Sequence, residues 1–350
     1  MPADFAVYFR AAIERVPSGA NPYDSFDLSP FKYSPGVLAI LTFMPRSYVG
    51  SWFAFSSVSI LCLTAALLLG STYKTRKEVI ALLIGIAISW KGFIETLDYG
   101  QIEFVILLFS VLAAWFASSR PFWSGFFAGF LPWIKLPWGF LALPFFIISY
   151  LRGGKRSSLA FLAGHFSAAL FWGIIIPGLV FGLTKTYQFY LSWIDLLKVQ
   201  PKELYLTDMN QSIWIAVSRW TGLSQLPSAL LVLVIVVPLV ILLIRRLISD
   251  SQSPLKPAFF WLSPWLLLNQ MINPLAWRWG SVFVVGTAIA ALEPKLLKGT
   301  SRRILIAVIF LFILAQMNPI VKLLGFDHWS YFHNHGLVTA YWLFLILLAL

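Results

Sequence analysis

The sequence predicts an all-α, polytopic membrane protein from its composition, its long apolar segments and the distribution of its charges. The chain has 350 residues, of which 59% are hydrophobic, 17% aromatic and only 11% charged. Soluble domains carry about 25% charged residues, and several apolar runs here reach the roughly 20 residues that cross a bilayer. Because Cys62 is the only cysteine and lies in an apolar run, a disulfide-stapled secreted fold is excluded.

Apolar segments account for most of the chain and predict about 10–11 transmembrane helices. The number is a range because several segments are short and 122–151 can be drawn as one broken helix. We expect a single membrane-embedded domain over 1–350, in which 1–47 forms an outer-face loop and 48–350 forms the bundle. The segments are 48–70, 79–97, 102–118, 122–134, 136–151, 158–183, 226–244, 258–273, 279–293, 304–325 and 336–350.

The net charge of +12 has two candidate sources, a nucleic-acid partner or retention of basic residues on the cytoplasmic side of a membrane. Alternate connections between the segments hold 14 of the 26 Lys and Arg residues but only three acidic residues. The excess is therefore an orientation signal, and no nucleic-acid partner is expected. A functional site is sought on the opposite, outer face, among its longer and more acidic loops. The basic residues concerned are Lys74, Arg76, Lys77, Arg120, Arg152, Lys155, Arg156, Arg245, Arg246, Lys256, Lys295, Lys298, Arg302 and Arg303.

The first 47 residues map to the outer face. Residues 4–16 have apolar side chains at helical spacing, which predicts an amphipathic helix on the membrane surface, and a second short apolar helix is expected at 36–44. Asp4 opens the first helix and is either its N-cap or a functional carboxylate. No apolar segment precedes this loop. Either the first transmembrane helix translocates it, or an upstream helix is missing, and we favour the second explanation.

Two polar residues stand out within or beside the apolar segments. Lys135 costs about 2.5–3.5 kcal/mol if it lies near the bilayer centre, so it either lines a polar cavity or snorkels to the surface. Gln101 either orients hydroxyl groups or caps a turn. Three histidines, His328, His333 and His335, share an aromatic loop, but their spacing is not diagnostic of a metal site and no metal is expected.

Five short motifs follow one another along the chain. They are Asp4 and Tyr8 with Gly19, Asn21-Pro22-Tyr23 and Phe31-Lys32-Tyr33-Ser34-Pro35; Tyr99-Gly100-Gln101-Ile102; Gly125 and Gly129 with Ile134-Lys135-Leu136-Pro137; Asn210-Gln211-Ser212 with Arg219; and Asn273-Pro274-Leu275-Ala276-Trp277. In this order they resemble the motifs of glycosyltransferase family 87. That family consists of membrane-embedded GT-C transferases related to polyprenol-phosphate-mannose-dependent mannosyltransferases.

The resemblance implies a GT-C-type bundle that catalyses a metal-independent, inverting transfer without a cofactor. A hexose, mannose favoured, would pass from a polyprenyl-phosphate sugar to a glycan or glycolipid hydroxyl on the outer face of the plasma membrane. Asp4 matches the general base, while Lys135, Arg219 and Arg278 are the cations suited to the leaving phosphate. The other residues carried over as substrate-binding are Tyr8, Asn21, Tyr23, Lys32, Tyr33, Gln101, Asn210, Gln211 and Trp277.

The sequence departs from the family pattern at three points. Glu103 stands where asparagine is commoner, and Arg278 and Trp279 follow Trp277 where histidine is usual. The family normally has a transmembrane helix before the loop aspartate, whereas this sequence starts three residues before Asp4, in line with the expected missing helix. Two alternatives remain open from the sequence: a multi-pass transporter or lipid flippase without catalysis, and a truncated product without activity. The sugar is equally open among mannose, arabinose, galactose and glucose.

Overall fold

The computed structural model is predominantly helical over the residues that it describes. These are residues 3–24, 31–71, 92–198, 210–222, 225–251, 258–273 and 337–349, with 79, 83, 86, 276, 282–284, 303–304 and 306–307 between them. No strand occurs in these ranges. The chain forms two compact units, one comprising Met1–Ala66 and Glu95–Gln200, the other Leu67–Ile94 and Pro201–Leu350.

The helices that carry the first unit lie between residues 3 and 198. They are α1 (Ala3–Phe9), continued by a π-helical turn (Arg10–Arg15) and a last turn (Val16–Ser18), α2 (Pro35–Leu41), α3 (Tyr48–Gly70), α4 (Gly92–Asp98), α5 (Glu103–Phe116), α6 (Pro121–Ile134), a 3₁₀ segment (Leu136–Leu141), α7 (Ala142–Leu170), a π-helical turn (Phe171–Ile175), α8 (Ile176–Phe181) and α9 (Leu183–Lys198). The last residues of α3 and the first of α4 belong to the second unit.

Beyond residue 200, the structure describes four helices of the second unit. They are α10 (Ile213–Thr221), α11 (Gln225–Ser251), α12 (Ala258–Ile272) and α13 (Leu337–Ala349). Within this unit, Phe259 of α12 lies so close to Gly70 that a Cβ on the glycine would overlap the phenyl ring.

Three runs of helix in the described residues are long and apolar enough to span a membrane: Tyr48–Gly70, Leu136–Phe181 and Pro227–Ser249. A fourth span results if α4 and α5, which are bent by 120° at their junction, are counted as one. The prediction of an all-α polytopic membrane protein is therefore confirmed. The expected total of 10–11 spans stays a prediction, because most of the predicted segments 279–293 and 304–325 lies outside the described residues.

The first predicted helix forms where expected but continues to Ser18, with a π-helical turn inside it. It ends at Gly19, whose φ of 79° is the left-handed conformation that glycine adopts without strain. Its apolar side chains pack inside the protein rather than facing outward: Phe5 contacts the rings of Tyr48 and Phe55, 5.5 Å and 5.4 Å away. The second helix is observed at Pro35–Leu41, with Ser34 as its N-cap.

Helices α6 and α7 pack at very close range because glycines line their contact. A Cβ on Gly125 would overlap the carbonyl of Phe161, and one on Gly129 would lie 2.6 Å from the carbonyl oxygen of His165. Small residues four apart allow this approach between membrane helices. The contact fixes the end of α6 and therefore the position of Lys135, which follows its last residue.

Helix α7 is broken at Gly154, where φ is 63° and ψ is −156°, within the predicted connection between segments 136–151 and 158–183. Helical residues on both sides extend into that connection, so the break is shorter than predicted. The basic residues of this connection are therefore carried on helix ends that meet at Gly154. Only a glycine adopts that backbone conformation readily.

Candidate functional site

Asp4 is held by the turn between α4 and α5. Its carboxylate oxygen Oδ2 accepts a hydrogen bond from the Gln101 side-chain amide, and the next backbone N–H, that of Phe5, donates to the Tyr99 carbonyl at 3.2 Å. Gly100 lies between these two contacts with a φ of 69°. Two residues 97 positions apart are thereby joined, so the Asp4 carboxylate has a fixed place in the tertiary structure.

The charges around Asp4 perturb its protonation. Burial raises the pKa of the Asp4 carboxyl, and the nearby Glu103 carboxylate acts in the same direction. The ammonium groups of Lys135 and Lys32 and the hydrogen bond from Gln101 oppose this rise. Burial likewise lowers the pKa of Lys32, against the attraction of Asp4. Two carboxylates and two lysines therefore share one electrostatic site in the first unit.

Lys135 is ion-paired. Its Nζ lies 2.5 Å from Oε1 of Glu103, whose side chain is only 2% exposed, while the Lys135 side chain is 22% exposed. The second oxygen of Glu103, Oε2, is buried and has no hydrogen-bond partner. The lysine thus lies neither in an apolar environment without a partner nor free at the surface. It carries a partly accessible positive charge that a buried carboxylate holds in place.

The tyrosines predicted to bind substrate form a hydrogen-bonded cluster that includes Tyr33, the neighbour of Lys32 in sequence. The Tyr8 and Tyr33 hydroxyls lie 2.6 Å apart, and the Tyr23 hydroxyl donates to the Tyr33 carbonyl at 3.1 Å. Burial raises the pKa of Tyr33 to about 12, so its hydroxyl stays protonated at neutral pH. The cluster ties α1 to the segment that carries Lys32, and all three rings are buried.

Helix α9 holds the same segment from the other side. Asn21 donates from Nδ2 to the Ser192 hydroxyl at 3.0 Å and to Asp24 Oδ1 at 2.8 Å. The Trp193 indole N–H donates to the Lys32 carbonyl at 2.8 Å. Asn21 therefore contributes to the conformation of the loop, and its contact with α9 is one that sequence spacing does not reveal.

The predicted Asn210-Gln211 block belongs to the second unit and is fully buried there. Asn210 Oδ1 accepts from the backbone N–H groups of Ser212 and Ala276, at 3.0 Å and 3.1 Å. Arg219 donates to the Asn210 carbonyl at 3.2 Å. Beside it, Gln211 accepts from the Thr339 hydroxyl at 2.8 Å through its carbonyl. These bonds join α10, the 276 corner and α13.

Two predicted site residues, Trp277 and Arg278, lie outside the described residues. So do His328, His333 and His335. Among the residues that the structure does describe, no group of three or more His, Cys, Asp or Glu side chains is arranged to hold a metal ion.

Sequence reasoning missed the role of Glu103, which it treated only as a departure from a family pattern. A usable signal was present, because Glu103 and Lys135 are opposite charges in two consecutive apolar segments. An ionisable residue inside such a segment normally pairs with a partner. The expected partner of Glu103 is then Lys135, as the structure shows.

The fold and this site define a polytopic membrane protein with a buried, charged centre. The sequence model of glycosyltransferase family 87 matches residues 31–268, more than half of the chain. The chain belongs to glycosyltransferase family 87 and is therefore a membrane-embedded glycosyltransferase. The matched span includes Lys32, Gln101, Lys135 and Asn210, and it begins after Asp4. Searches of curated proteins and of solved structures gave no match.

Proposed function

We propose that the protein transfers a hexose, with mannose favoured, from a polyprenyl-phosphate sugar to the hydroxyl of a glycan or glycolipid acceptor. The transfer inverts the anomeric centre and takes place at the outer face of the plasma membrane. The observation that carries this proposal is the first-unit site, in which Asp4 is anchored by Gln101 and lies in the electrostatic field of Lys135, Lys32 and Glu103.

Asp4 is the general base of the proposed reaction. An acceptor hydroxyl needs to lose its proton as its oxygen attacks the anomeric carbon, and a positioned carboxylate takes that proton. Because Gln101 occupies Oδ2, we assign proton transfer to Oδ1. The raised pKa of the Asp4 carboxyl makes this group a stronger base than an ordinary aspartate.

Lys135 and Lys32 are the cations of the proposed reaction. As the new bond to the acceptor oxygen forms, the bond from the anomeric carbon to the donor phosphate oxygen breaks, and its electron pair leaves on the polyprenyl phosphate. Developing charge on that phosphate is stabilised by nearby ammonium groups. Lys135 is partly accessible and already oriented by Glu103, so a phosphate oxygen would compete with Glu103 for the same Nζ.

The test is a transfer assay on the full chain reconstituted in liposomes. Labelled polyprenyl-phosphate mannose, glucose, galactose and arabinose are compared with the corresponding nucleotide sugars, using alkyl glycosides and a membrane glycolipid extract as acceptors. We expect transfer from the polyprenyl phosphates, fastest with mannose, and a product of opposite anomeric configuration by NMR. Transfer from nucleotide sugars alone would overturn the donor assignment, and retained configuration would overturn the inverting mechanism.

A further inference from the structure

Helix α9 is too short to span a membrane and has three chemically distinct faces. Its 16 residues extend about 24 Å at 1.5 Å per residue, whereas a spanning helix needs about 20 apolar residues. One face is buried in the first unit, one is exposed and apolar, and one is exposed and polar. This division is what a helix requires when it borders protein, lipid and water at once.

The buried face carries Phe189, Trp193 and Leu196. Phe189 packs edge-on against Tyr23 at 6.1 Å, and Trp193 binds the Lys32 carbonyl. This face therefore fixes α9 to the loop that carries Lys32.

The exposed apolar face consists of four side chains, which we call the apolar stripe. They are Leu183, Tyr187, Leu191 and Ile194, which are 70%, 64%, 46% and 44% exposed. Their spacings of four, four and three residues place them on one side of the helix. In water such a row of large apolar groups would be unfavourable, since exposed apolar area carries a free-energy cost in proportion to its size.

The exposed polar face carries Thr184, Gln188 and Asp195. At 3.6 residues per turn these positions lie roughly 65–105° around the helix axis from the centre of the apolar stripe. Asp195 also pairs with Lys198 at 3.0 Å, and both of these side chains are largely exposed. Thr184, Gln188 and Asp195 thus share one exposed side, while Lys198, at the C-terminal end of the helix, lies close to the line of the apolar stripe.

The apolar stripe begins directly after a run of helix that is long and apolar enough to span a membrane. The run Leu136–Phe181 precedes α9 directly, and large apolar side chains along it, Phe166, Ile174 and Leu179, are exposed. The chain changes direction at Gly182, which has a φ of 78°. Leu183 follows immediately, so the stripe begins four residues after the exposed Leu179 at the end of the run.

We propose that α9 lies in the membrane interface, with the apolar stripe among lipid acyl chains and Thr184, Gln188 and Asp195 facing water. The occupant of the exposed apolar face is the bilayer itself. Since the opposite face holds Asn21 through Ser192 and Lys32 through Trp193, the depth of α9 in the bilayer sets the level of the loop that carries Lys32. This role does not depend on which sugar or donor the enzyme uses.

The experiment uses nitroxide labels on the full chain in liposomes. Cys62 is the only cysteine, so a Cys62→Ser background allows single cysteines at Leu191 and Ile194 on the stripe, and at Thr184 and Gln188 on the polar face. Collision rates are measured with oxygen, which concentrates in lipid, and with a water-soluble nickel chelate. We expect oxygen to dominate at Leu191 and Ile194, and the nickel chelate to dominate at Thr184 and Gln188.

Two results would overturn the proposal. Dominance of the nickel chelate at all four positions would place the stripe in water. Protection of Leu191 and Ile194 from both reagents would mean that protein, such as a second copy, covers the stripe.

A second measurement avoids the label. Ile194→Asp and Gln188→Asp add the same charge to the two faces of α9. We expect the first change to lower the thermal denaturation midpoint of the reconstituted protein markedly and the second to leave it almost unchanged. Equal effects of the two changes would contradict a lipid-facing stripe.

Discussion

The Lys135 ammonium lies 2.5 Å from the Glu103 carboxylate and joins the end of α6 to the start of α5. Glu103 is buried, so its negative charge depends on this lysine for compensation. The same two charges act on Asp4 in opposite directions. The pair therefore influences both the packing of the first unit and the protonation of the proposed base.

The first prediction concerns this ion pair. Lys135→Met leaves the buried Glu103 carboxylate without a counter-charge, which costs about 3–5 kcal/mol when one partner of a buried pair is removed. We expect a large fall in the thermal denaturation midpoint of Lys135→Met in liposomes. The double variant Lys135→Met/Glu103→Gln removes both charges and should recover much of that loss. If the effects of Lys135→Met and Glu103→Gln measured singly add up to the effect of the double variant, the pair is not energetically coupled.

The second prediction concerns the pH dependence of transfer. A base acts in its deprotonated form, so kcat/KM should rise with pH as Asp4 ionises. Burial raises the pKa of Asp4. The midpoint of the rise in kcat/KM with pH should therefore lie above the ordinary aspartate pKa of about 3.9. Gln101→Leu removes a hydrogen bond that lowers this pKa, so the midpoint of the pH profile should move to higher pH. Glu14→Gln removes an exposed carboxylate from the same helical segment. This change should leave the midpoint of the pH profile unchanged.

The third prediction concerns the hydrogen bond between α9 and the loop that carries Lys32. Trp193→Phe removes the hydrogen bond to the Lys32 carbonyl, which contributes about 0.5–1.5 kcal/mol. We expect the KM for the lipid-linked donor to rise roughly two- to tenfold, with a smaller change in kcat. Tyr190→Phe is the matched control, because its hydroxyl donates to the Gly173 carbonyl at 2.6 Å and not to the Lys32 carbonyl. An equal rise in KM for both variants would mean that α9 acts only through general stability.

The fourth prediction concerns Gly100. Its φ of 69° costs about 1–2 kcal/mol for any residue with a Cβ, and a Cβ there would lie 2.5 Å from that of Phe5. Gly100→Ala should therefore displace α1 and lower transfer strongly. Gly19→Ala has a similar φ of 79° but open space around it, so it should lose stability with far less effect on transfer. The measurement is the transfer rate of each variant, normalised to the amount of folded protein. A similar loss of transfer in both variants would contradict a specific role for the contact between Gly100 and Phe5.

Composition and local patterning were sufficient to predict the helical membrane fold. The apolar run 48–70 is predicted with the bounds that α3 has, and the motif that contains Gly125 and Gly129 includes the two glycines that pack closely against α7. The break at Gly154 lies within the connection predicted between segments 136–151 and 158–183. The sequence does not show how short this break is, because a single left-handed residue leaves no periodic signal.

The candidate site was predicted only in part, because its contacts join residues far apart in sequence. Asp4, Gln101 and Lys135 were selected individually, yet no spacing rule indicates that Gln101 binds Asp4 across 97 positions. Glu103 is the exception, because its charge is opposite to that of Lys135 and both lie beside apolar residues, which is a signal that the sequence itself contains. The support that α9 gives to Lys32 depends on which face of that helix is buried, and only tertiary packing decides this.

The central claim is that the Asp4 carboxylate takes the proton of the acceptor. Asp4→Asn keeps an oxygen that can accept the hydrogen bond from Gln101 but removes the basic group. The most direct measurement is the transfer rate of reconstituted Asp4→Asn against the wild type, with Glu14→Gln as control and with equal denaturation midpoints verified. We predict a fall in kcat of about 10²–10⁴-fold. A folded Asp4→Asn protein that transfers sugar at close to the wild-type rate would contradict the assignment.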